Sequence, residues 1–315
     1  MLRVFVLIVF CALAAMAESP TGLQVQDYAP VFRSCTLANL GTVTQIRSFK
    51  GSSGTAWQDD ALIVNNVTLE TSVVPQKTLA DCQDVASQDT DASTNYSKAL
   101  ALVTSENMNA LQDAGATHEL NHKNDIYLTV DLCPSHRPLD AELFQQIQGG
   151  VKPVPVAISI SGYWLLDHVA DFKLLLRLQE QGDIQITWVN HTYTHPYDPK
   201  APLAHNFVLE SGIDLNKEVF ENEKLLLKWG VVPSVFFRFP GLVSDKSDVE
   251  IIRQWGLIPL GANAWLALGE KPQVGSFILV HGNGNEPFGL QLLYSDMNQD
   301  PDMKKMFTGI NQAFE

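Results

Sequence analysis

The chain has 315 residues, 45% of them hydrophobic, and carries 35 acidic against 21 basic residues for a formal net charge of -14. This length is enough for one large domain, or for one domain with a smaller partner. The acidic balance and the lack of any basic run exclude a surface for the phosphate backbone, so no nucleic-acid partner is expected. A neutral polysaccharide fits this charge.

The first residues predict an exported protein. Arg3 precedes an apolar stretch over 4–16 that is too short for a comfortable membrane span, and residues 15–17 read Ala-Met-Ala, a pattern typical of signal-peptide cleavage. We therefore predict a signal peptide over residues 1–17 and a secreted, periplasmic or extracellular protein with no stable membrane span after cleavage. An uncleaved membrane anchor is the alternative.

Export changes how the cysteines are interpreted, because disulfides form in oxidising compartments. Cys11 leaves with the signal peptide, so Cys35, Cys82 and Cys133 remain. Cys35 and Cys82 both lie in the N-terminal region, and a bridge between them is the simplest hypothesis, with other pairings open. Cys133 is then a free cysteine, which we interpret as an ordinary core residue.

Residues 18–120 form an N-terminal region whose role the sequence does not specify. It is rich in Ser, Thr, Asn, Asp and Gln and contains strand-like runs such as ALIVNNVTLETSVV at 61–74. The polar stretch 81–97 indicates a loop. The segment SENMNALQDAG at 105–115 predicts a short helix, with Ser105 as its N-cap and Gly115 near its end.

Residues 121–315 show a regular alternation. Continuous apolar runs predict buried strands at 125–131, 153–160, 184–189, 234–240, 257–262 and 276–281. Helical stretches at 165–182, 214–230 and 247–256 lie between them, and each ends in a glycine. Strands that alternate with helices predict a parallel sheet, closed into a barrel or doubly wound.

Reactive or aromatic side chains follow several of these strands: Asp131, His191, His195, Arg238, Trp265 and His281. In an α/β barrel the active site is built at the carboxyl ends of the strands. Each residue alone has an ordinary structural explanation, such as a helix cap, a surface ion pair or a core position. Their common placement predicts one site, in which two histidines four residues apart bind a metal.

The segments LTVDLCPS, NHTYTH, RFPG, GANAW and ILVH occur in the order found in the polysaccharide deacetylase family, carbohydrate esterase family 4, which the chain resembles over roughly residues 122–285. The resemblance implies a distorted (β/α) barrel with fewer strands than the regular eight, preceded here by the smaller mixed N-terminal region. It implies a metal-dependent hydrolase that removes N- or O-acetyl groups from a glycan by attack of metal-bound water. The substrate would be chitin-like, peptidoglycan or another acetylated polysaccharide.

The resemblance also implies roles for residues of the site. His191 and His195 would bind one divalent metal, zinc or a similar ion such as cobalt. Asp131 matches the family's catalytic base, and Arg238 would orient that carboxylate and lower its pKa. His281 would be the general acid for the leaving group.

Two further positions complete the implied site. A backbone N–H near Gly241 would help to hold the oxyanion, and Trp265 would line the pocket near His281. The Asp that usually precedes this tryptophan in the family is Ala264 here, which alters the support of Arg238.

The third metal ligand is the main departure from the family pattern. Leu132 stands where the family has a second Asp that binds the metal, and leucine cannot act as a ligand. Asp131 is the first candidate to replace it, followed by His136 and Asp140. The departure favours two alternatives to a deacetylase, a glycan-binding pseudoenzyme and a related amidase acting on a non-sugar C–N bond.

Overall fold

The structure, a computed structural model, describes residues 22–85, 93–105, 108–120 and 124–315, with the side chains of 104 and 105 left out. The predicted signal peptide over 1–17, including Cys11, lies outside the described residues. In the described part of the chain, no helix has the length and apolar character needed to cross a membrane.

The N-terminal region begins with an antiparallel five-stranded sheet in the order β4-β3-β2-β1-β5. Its strands are β1 (Gln24–Leu37), β2 (Gly41–Ser52), β3 (Gln58–Asn65), β4 (Thr71–Pro75) and β5 (Ala80–Asp84). A disulfide joins Cys35 in β1 to Cys82 in β5, which is the pairing that the sequence favours. The sheet is followed by one helix, α1 (Asn95–Ser105).

The helix predicted at 105–115 is wrong, because α1 ends at the residue where that helix was expected to begin. Tyr96, Ala99, Leu100 and Val103 recur at helical spacing and are buried, which explains the observed position of α1. The polar loop predicted at 81–97 contains the end of β5 and the start of α1.

Residues 108–120 are instead drawn into the second sheet by backbone pairing. Ala116 donates its N–H to the carbonyl of Pro259 and accepts a hydrogen bond from Gly261 N–H. Gly115 has φ of 117°, and a Cβ there would lie 2.4 Å from the Pro259 carbonyl oxygen. This close approach requires glycine for a reason other than the end of a helix.

The second sheet has seven parallel strands in the order β10-β9-β8-β7-β6-β12-β11. They are β6 (Tyr127–Leu132), β7 (Val154–Ile160), β8 (Ile184–Asn190), β9 (Phe236–Phe237), β10 (Ile258–Pro259), β11 (Ala264–Trp265) and β12 (Phe277–His281). Bridges from Ala116 to Leu260 and from His118 to Ser276 place the 108–120 segment across the open side. The predicted α/β fold, a distorted (β/α) barrel with fewer than eight strands, is confirmed.

Six helices accompany these strands. They are α2 (Ala141–Gln146), α3 (Gly162–Asp167), α4 (Val169–Glu180), α5 (Leu215–Lys228), α6 (Lys246–Gln254) and α7 (Pro287–Gln299). The single helix predicted at 165–182 is divided into α3 and α4 at His168, whose backbone leaves the helical region. The apolar strand residues pack against these helices in a core that includes Leu132, Leu143 and Trp164.

The N-terminal sheet is fixed to the barrel by a buried ion pair. Arg47 of β2 donates from Nε and Nη2 to the two carboxylate oxygens of Glu223 in α5, at 2.7 and 2.8 Å. Both side chains are 0% exposed. Tyr28 of β1 donates its hydroxyl to the same carboxylate at 2.8 Å. This polar network therefore joins the N-terminal sheet to helix α5 of the barrel.

Candidate active site

A cleft of about 620 Å³ opens at the carboxyl ends of the barrel strands. This volume is in the usual range for small-ligand sites. Its walls include Asp131, Cys133, His195, Gly241, Trp265, His281 and Glu286. The cleft therefore collects residues from five separate parts of the barrel, at the strand ends where the sequence predicts a site.

Asp131 and Arg238 form a buried pair at the base of the cleft. Arg238 Nη1 lies 2.9 Å from Asp131 Oδ1, and the guanidinium also donates to Thr129 and to the carbonyl of Gly261. Burial raises the pKa of Asp131, but the charges of Arg238, His191 and His281 together outweigh it and lower the pKa below its ordinary value. Asp131 is therefore held as a carboxylate whose second oxygen is available to the site.

His191 follows β8 directly, and its ring orientation is fixed from behind. His191 Nδ1 lies 2.9 Å from the carbonyl oxygen of Arg238, so Nδ1 carries the proton and donates it. Nε2 is then directed towards Asp131 Oδ2, at 3.7 Å. A histidine that donates from one ring nitrogen to a carbonyl presents the other as a metal ligand, in the manner typical of metal sites.

The loop that carries both histidines is tightly held. Asn190 is fully buried, donates from its side chain to Val219 and accepts from the Thr192 backbone. Thr194 donates from its backbone and hydroxyl to Glu218 at 2.9 and 2.7 Å. Thr192 and His195 adopt φ of 65° and 51°, a region that non-glycine residues rarely occupy. Such backbone is kept only where the surroundings determine it.

Cys133 joins the two histidines. Its Sγ lies 3.5 Å from His191 Nε2, and one ligand atom from each of Cys133, His191 and His195 falls within 4.8 Å of the others. His195 Nε2 is buried and has no hydrogen-bond partner in the described part of the protein. A buried, unpartnered imidazole nitrogen beside a thiol and a second imidazole is a donor set that fits a zinc-like ion.

The charge around Cys133 favours its ionised form. Burial would raise the pKa of the thiol, but the imidazoles of His195, His281 and His191 lower it well below the ordinary value. A thiolate is the form of cysteine that binds metals.

The three residues proposed from the sequence to replace the ligand at Leu132 lie outside this cluster. Leu132 is itself fully buried in the apolar core, with Leu143 nearby. Asp131 is paired with Arg238, His136 is exposed, and Asp140 accepts a hydrogen bond from Gly284 N–H. Along a strand, alternate residues face opposite sides, so Asp131 and Cys133 reach the cleft and Leu132 does not.

His281 and Trp265 are linked by a carboxylate that the sequence analysis did not identify. Glu286 Oε2 accepts a hydrogen bond from Trp265 Nε1 at 2.7 Å and lies 2.9 Å from His281 Nδ1. This contact is an ion pair when His281 is protonated. Burial opposes protonation, yet Cys133 and Glu286 raise the pKa of His281 well above its ordinary value.

The remaining wall of the cleft is formed by Gly241 and aromatic rings. Gly241 has φ of 61°, and a Cβ there would lie 2.4 Å from the Phe207 ring. Tyr197 is 60% exposed and stacks on Phe207, with ring centroids 5.1 Å apart. Tyr197 and Trp265 therefore present aromatic surface at the rim of the cleft.

Sequence reasoning missed Cys133 and Glu286 for different reasons. Cys133 is two residues after Asp131 and directly follows β6, and continued strand alternation would have placed both side chains on one face. Glu286 lies in the turn after β12, and nothing in the local pattern directs it back towards His281. Cys133 was also the cysteine left unpaired by the predicted disulfide of the exported chain. An odd cysteine of this kind indicates a reactive or metal-binding thiol.

No protein-family model matches the chain. Among solved structures, the chain is similar to a family 4 carbohydrate esterase from Bacillus anthracis, with 17% identity and a TM-score of 0.45 over 64% of this chain and 87% of that chain. The chitin deacetylase from Colletotrichum lindemuthianum matches with 15% identity and a TM-score of 0.46 over 63% and 90%. A family 4 pseudoenzyme from Bacillus anthracis matches with 11% identity and a TM-score of 0.46 over 94% and 91%.

The chain thus resembles carbohydrate esterases of family 4, in agreement with the order of its sequence segments. These three TM-scores are all below 0.5, so the similarities do not indicate which reaction the cleft performs. The assignment of chemistry rests on the side chains of the cleft.

Proposed function

We propose that the protein is an exported, metal-dependent hydrolase that removes acetyl groups from an N- or O-acetylated glycan. The observation that carries this proposal is the pairing of Asp131 and His281 on neighbouring strands, where they are register partners at the mouth of one cleft. Beside them lie the two histidines of the predicted metal site. An ionised carboxylate and a protonated imidazole in one cleft are the base and acid that amide or ester hydrolysis requires.

His191 and His195 would hold the metal, with zinc or cobalt as the expected ion. When bound, such an ion polarises a carbonyl and makes a coordinated water easier to deprotonate. The residues of the chain supply the rest of the chemistry. Asp131, kept ionised by Arg238, accepts a proton from the attacking water through the carboxylate oxygen that Arg238 leaves available.

His281 donates a proton to the departing amine or alcohol. The Glu286 carboxylate beside Nδ1 stabilises the protonated imidazole and raises its pKa. Gly241 lines the cleft and leaves its backbone N–H without side-chain obstruction for the carbonyl oxygen. Trp265 and Tyr197 offer flat apolar faces of the kind that pack against sugar rings.

The proposed location also has support from cysteine chemistry. The Cys35–Cys82 disulfide is typical of proteins that mature in an oxidising compartment. Together with the predicted signal peptide, it favours a secreted, periplasmic or extracellular protein.

The test is release of acetate from chito-oligosaccharides and peptidoglycan fragments by the purified protein. Chelation and His191→Ala should each abolish release. His205→Ala is the matched control, because His205 is exposed and does not line the cleft, and this variant should keep full activity. Activity that survives chelation or His191→Ala would refute the mechanism.

The same assay separates the alternatives. Glycan binding without acetate release, in protein that contains metal, would favour a pseudoenzyme. Hydrolysis of small amides in place of acetylated sugars would favour an amidase.

A further inference from the structure

Cys133 is placed by β6 to reach the same point as the two histidines. It follows Leu132 at the end of the strand, and its side chain is on the face that carries Asp131. Leu132 between them packs into the apolar core. The register of β6, which pairs with β7 and β12, therefore fixes which residue after Asp131 can approach the histidines.

The spacing of the donor atoms fits direct ligation. Zinc–sulfur and zinc–nitrogen bonds of about 2.3 and 2.05 Å at a tetrahedral angle place sulfur and nitrogen roughly 3.5 Å apart. Cys133 Sγ and His191 Nε2 are 3.5 Å apart. His195 adds the third donor atom within 4.8 Å of both, and its Nε2 has no other partner among the described residues.

Asp131 is committed to a different contact. Its Oδ1 accepts from Arg238 at 2.9 Å, and its carboxylate does not belong to the group of three mutually close ligand atoms. A carboxylate held in this way by a guanidinium remains free to act as a base. The structure therefore separates ligand and base between two residues that share one strand face.

We propose that Cys133 is the third protein ligand, forming with His191 and His195 a site of one sulfur and two nitrogen donors with an open fourth position. This donor set selects zinc and cobalt over magnesium, calcium and manganese, which prefer oxygen ligands. The proposal rests on the metal centre of the proposed function and names its ligands and metal class. It is tested on binding alone, so the absence of hydrolase activity would not affect it.

The experiment is replacement of the metal by Co²⁺ in the full-length protein, followed by absorption spectroscopy. The wild type should bind one Co²⁺ and show a near-ultraviolet sulfur-to-cobalt charge-transfer band together with the visible bands of a tetrahedral ion. Cys133→Ser should lose the charge-transfer band. Its zinc affinity should fall at least about 100-fold, since even loss of an outer-sphere partner costs roughly 10- to 100-fold.

Asp131→Asn is the matched control, because Asp131 lines the cleft from the same strand but lies outside the donor group. It should keep the charge-transfer band and the zinc stoichiometry. Cys133→Asp provides a second variant, which should bind metal without the band and discriminate less strongly against manganese.

Three results would overturn the proposal. The first is that the wild type binds no Co²⁺. The second is that the wild type binds Co²⁺ but its spectrum lacks the sulfur-to-cobalt band. The third is that Asp131→Asn loses the metal while Cys133→Ser binds it normally. The second result can be obtained without any variant, so misfolding of Cys133→Ser, detected by circular dichroism, leaves the test intact.

Discussion

Two buried arginines pair with carboxylates in this protein, and the two regions use the pairing differently. Between the N-terminal sheet and α5, Arg47 donates hydrogen bonds to both carboxylate oxygens of Glu223, and Tyr28 donates a third. At the carboxyl ends of the barrel strands, Arg238 binds one oxygen of Asp131 and leaves the other facing His191. In the first network both carboxylate oxygens accept hydrogen bonds. In the second, one carboxylate oxygen of Asp131 is left facing the cleft.

This difference separates an ion pair that joins two parts of the fold from one that lines the candidate site. A buried charge is costly unless its partner and hydrogen bonds are complete, and the Arg47 network meets that condition. The Arg238 guanidinium also meets this condition, because it donates to Thr129 and to Gly261. Asp131 differs, because Arg238 contacts only one of its two carboxylate oxygens. Four predictions test this contrast.

The largest effect is expected for Asp131→Asn. The amide oxygen can still accept from Arg238, but it cannot take a proton from water, so kcat should fall about 100- to 10,000-fold. Acetate release from chito-oligosaccharides measures kcat, and the thermal unfolding midpoint checks that the variant is folded. A kcat close to that of the wild type would remove Asp131 from the role of base.

Glu223→Ala should act on stability alone. Arg47 would be left buried and unpaired, so the free energy of unfolding should fall by about 3–5 kcal/mol. Urea denaturation measures this change, and kcat of the folded variant should be unchanged. The exposed pair Lys246–Glu250, whose nearest charged atoms are 3.6 Å apart, is the control, and Lys246→Ala should cost at most about 0.5 kcal/mol.

A loss of similar size in both variants would contradict the distinction between the buried pair and the surface pair.

The pH dependence of activity should reflect the pairing of Asp131. Because Arg238 lowers the pKa of Asp131 below the ordinary value of 3.8, the carboxylate stays ionised as the pH falls towards that value. The acidic limb of kcat/KM, measured with saturating zinc, should therefore lie below about pH 4. The pair contributes stability above the unfolded-state pKa, and this contribution is lost as the pH falls through the folded-state value.

Arg238→Lys keeps the charge but loses the forked geometry, so its acidic limb should move to higher pH. An acidic limb at the same pH in Arg238→Lys and in the wild type would contradict the role of Arg238 in lowering that pKa.

The smallest effect is expected for Glu286→Gln. The amide can still accept from Trp265 Nε1, but the negative charge beside His281 Nδ1 is lost. We expect kcat to fall about tenfold, because Glu286 raises the pKa of His281 and its loss weakens the general acid, with little change in KM. Glu286→Ala removes the tryptophan contact as well, and should also raise KM. A wild-type kcat in Glu286→Gln would contradict a charge effect, and equal KM values in the Gln and Ala variants would contradict a role for the Trp265 contact.

The resemblance to the polysaccharide deacetylases predicted the barrel, and the sequence pattern by itself predicted the parallel sheet and the elements that carry Asp131, His191, His195, Arg238 and His281. Periodicity was sufficient here because buried parallel strands are continuous apolar runs, and their ends are marked by polar residues. It failed at 105–115, where the helical pattern is overridden by backbone pairing of Ala116 with Pro259 and Gly261. Local propensity cannot register a partner that lies more than a hundred residues away.

Only the tertiary structure decided which groups complete the site. Leu132 and Cys133 are adjacent in the chain, but the pleat of β6 directs one into the core and the other to the histidines. Glu286 reaches His281 and Trp265 only because the turn after β12 folds back over the strand ends. The order of residue types therefore predicted a chemistry, whereas strand register and a long-range turn determined which atoms meet at the cleft.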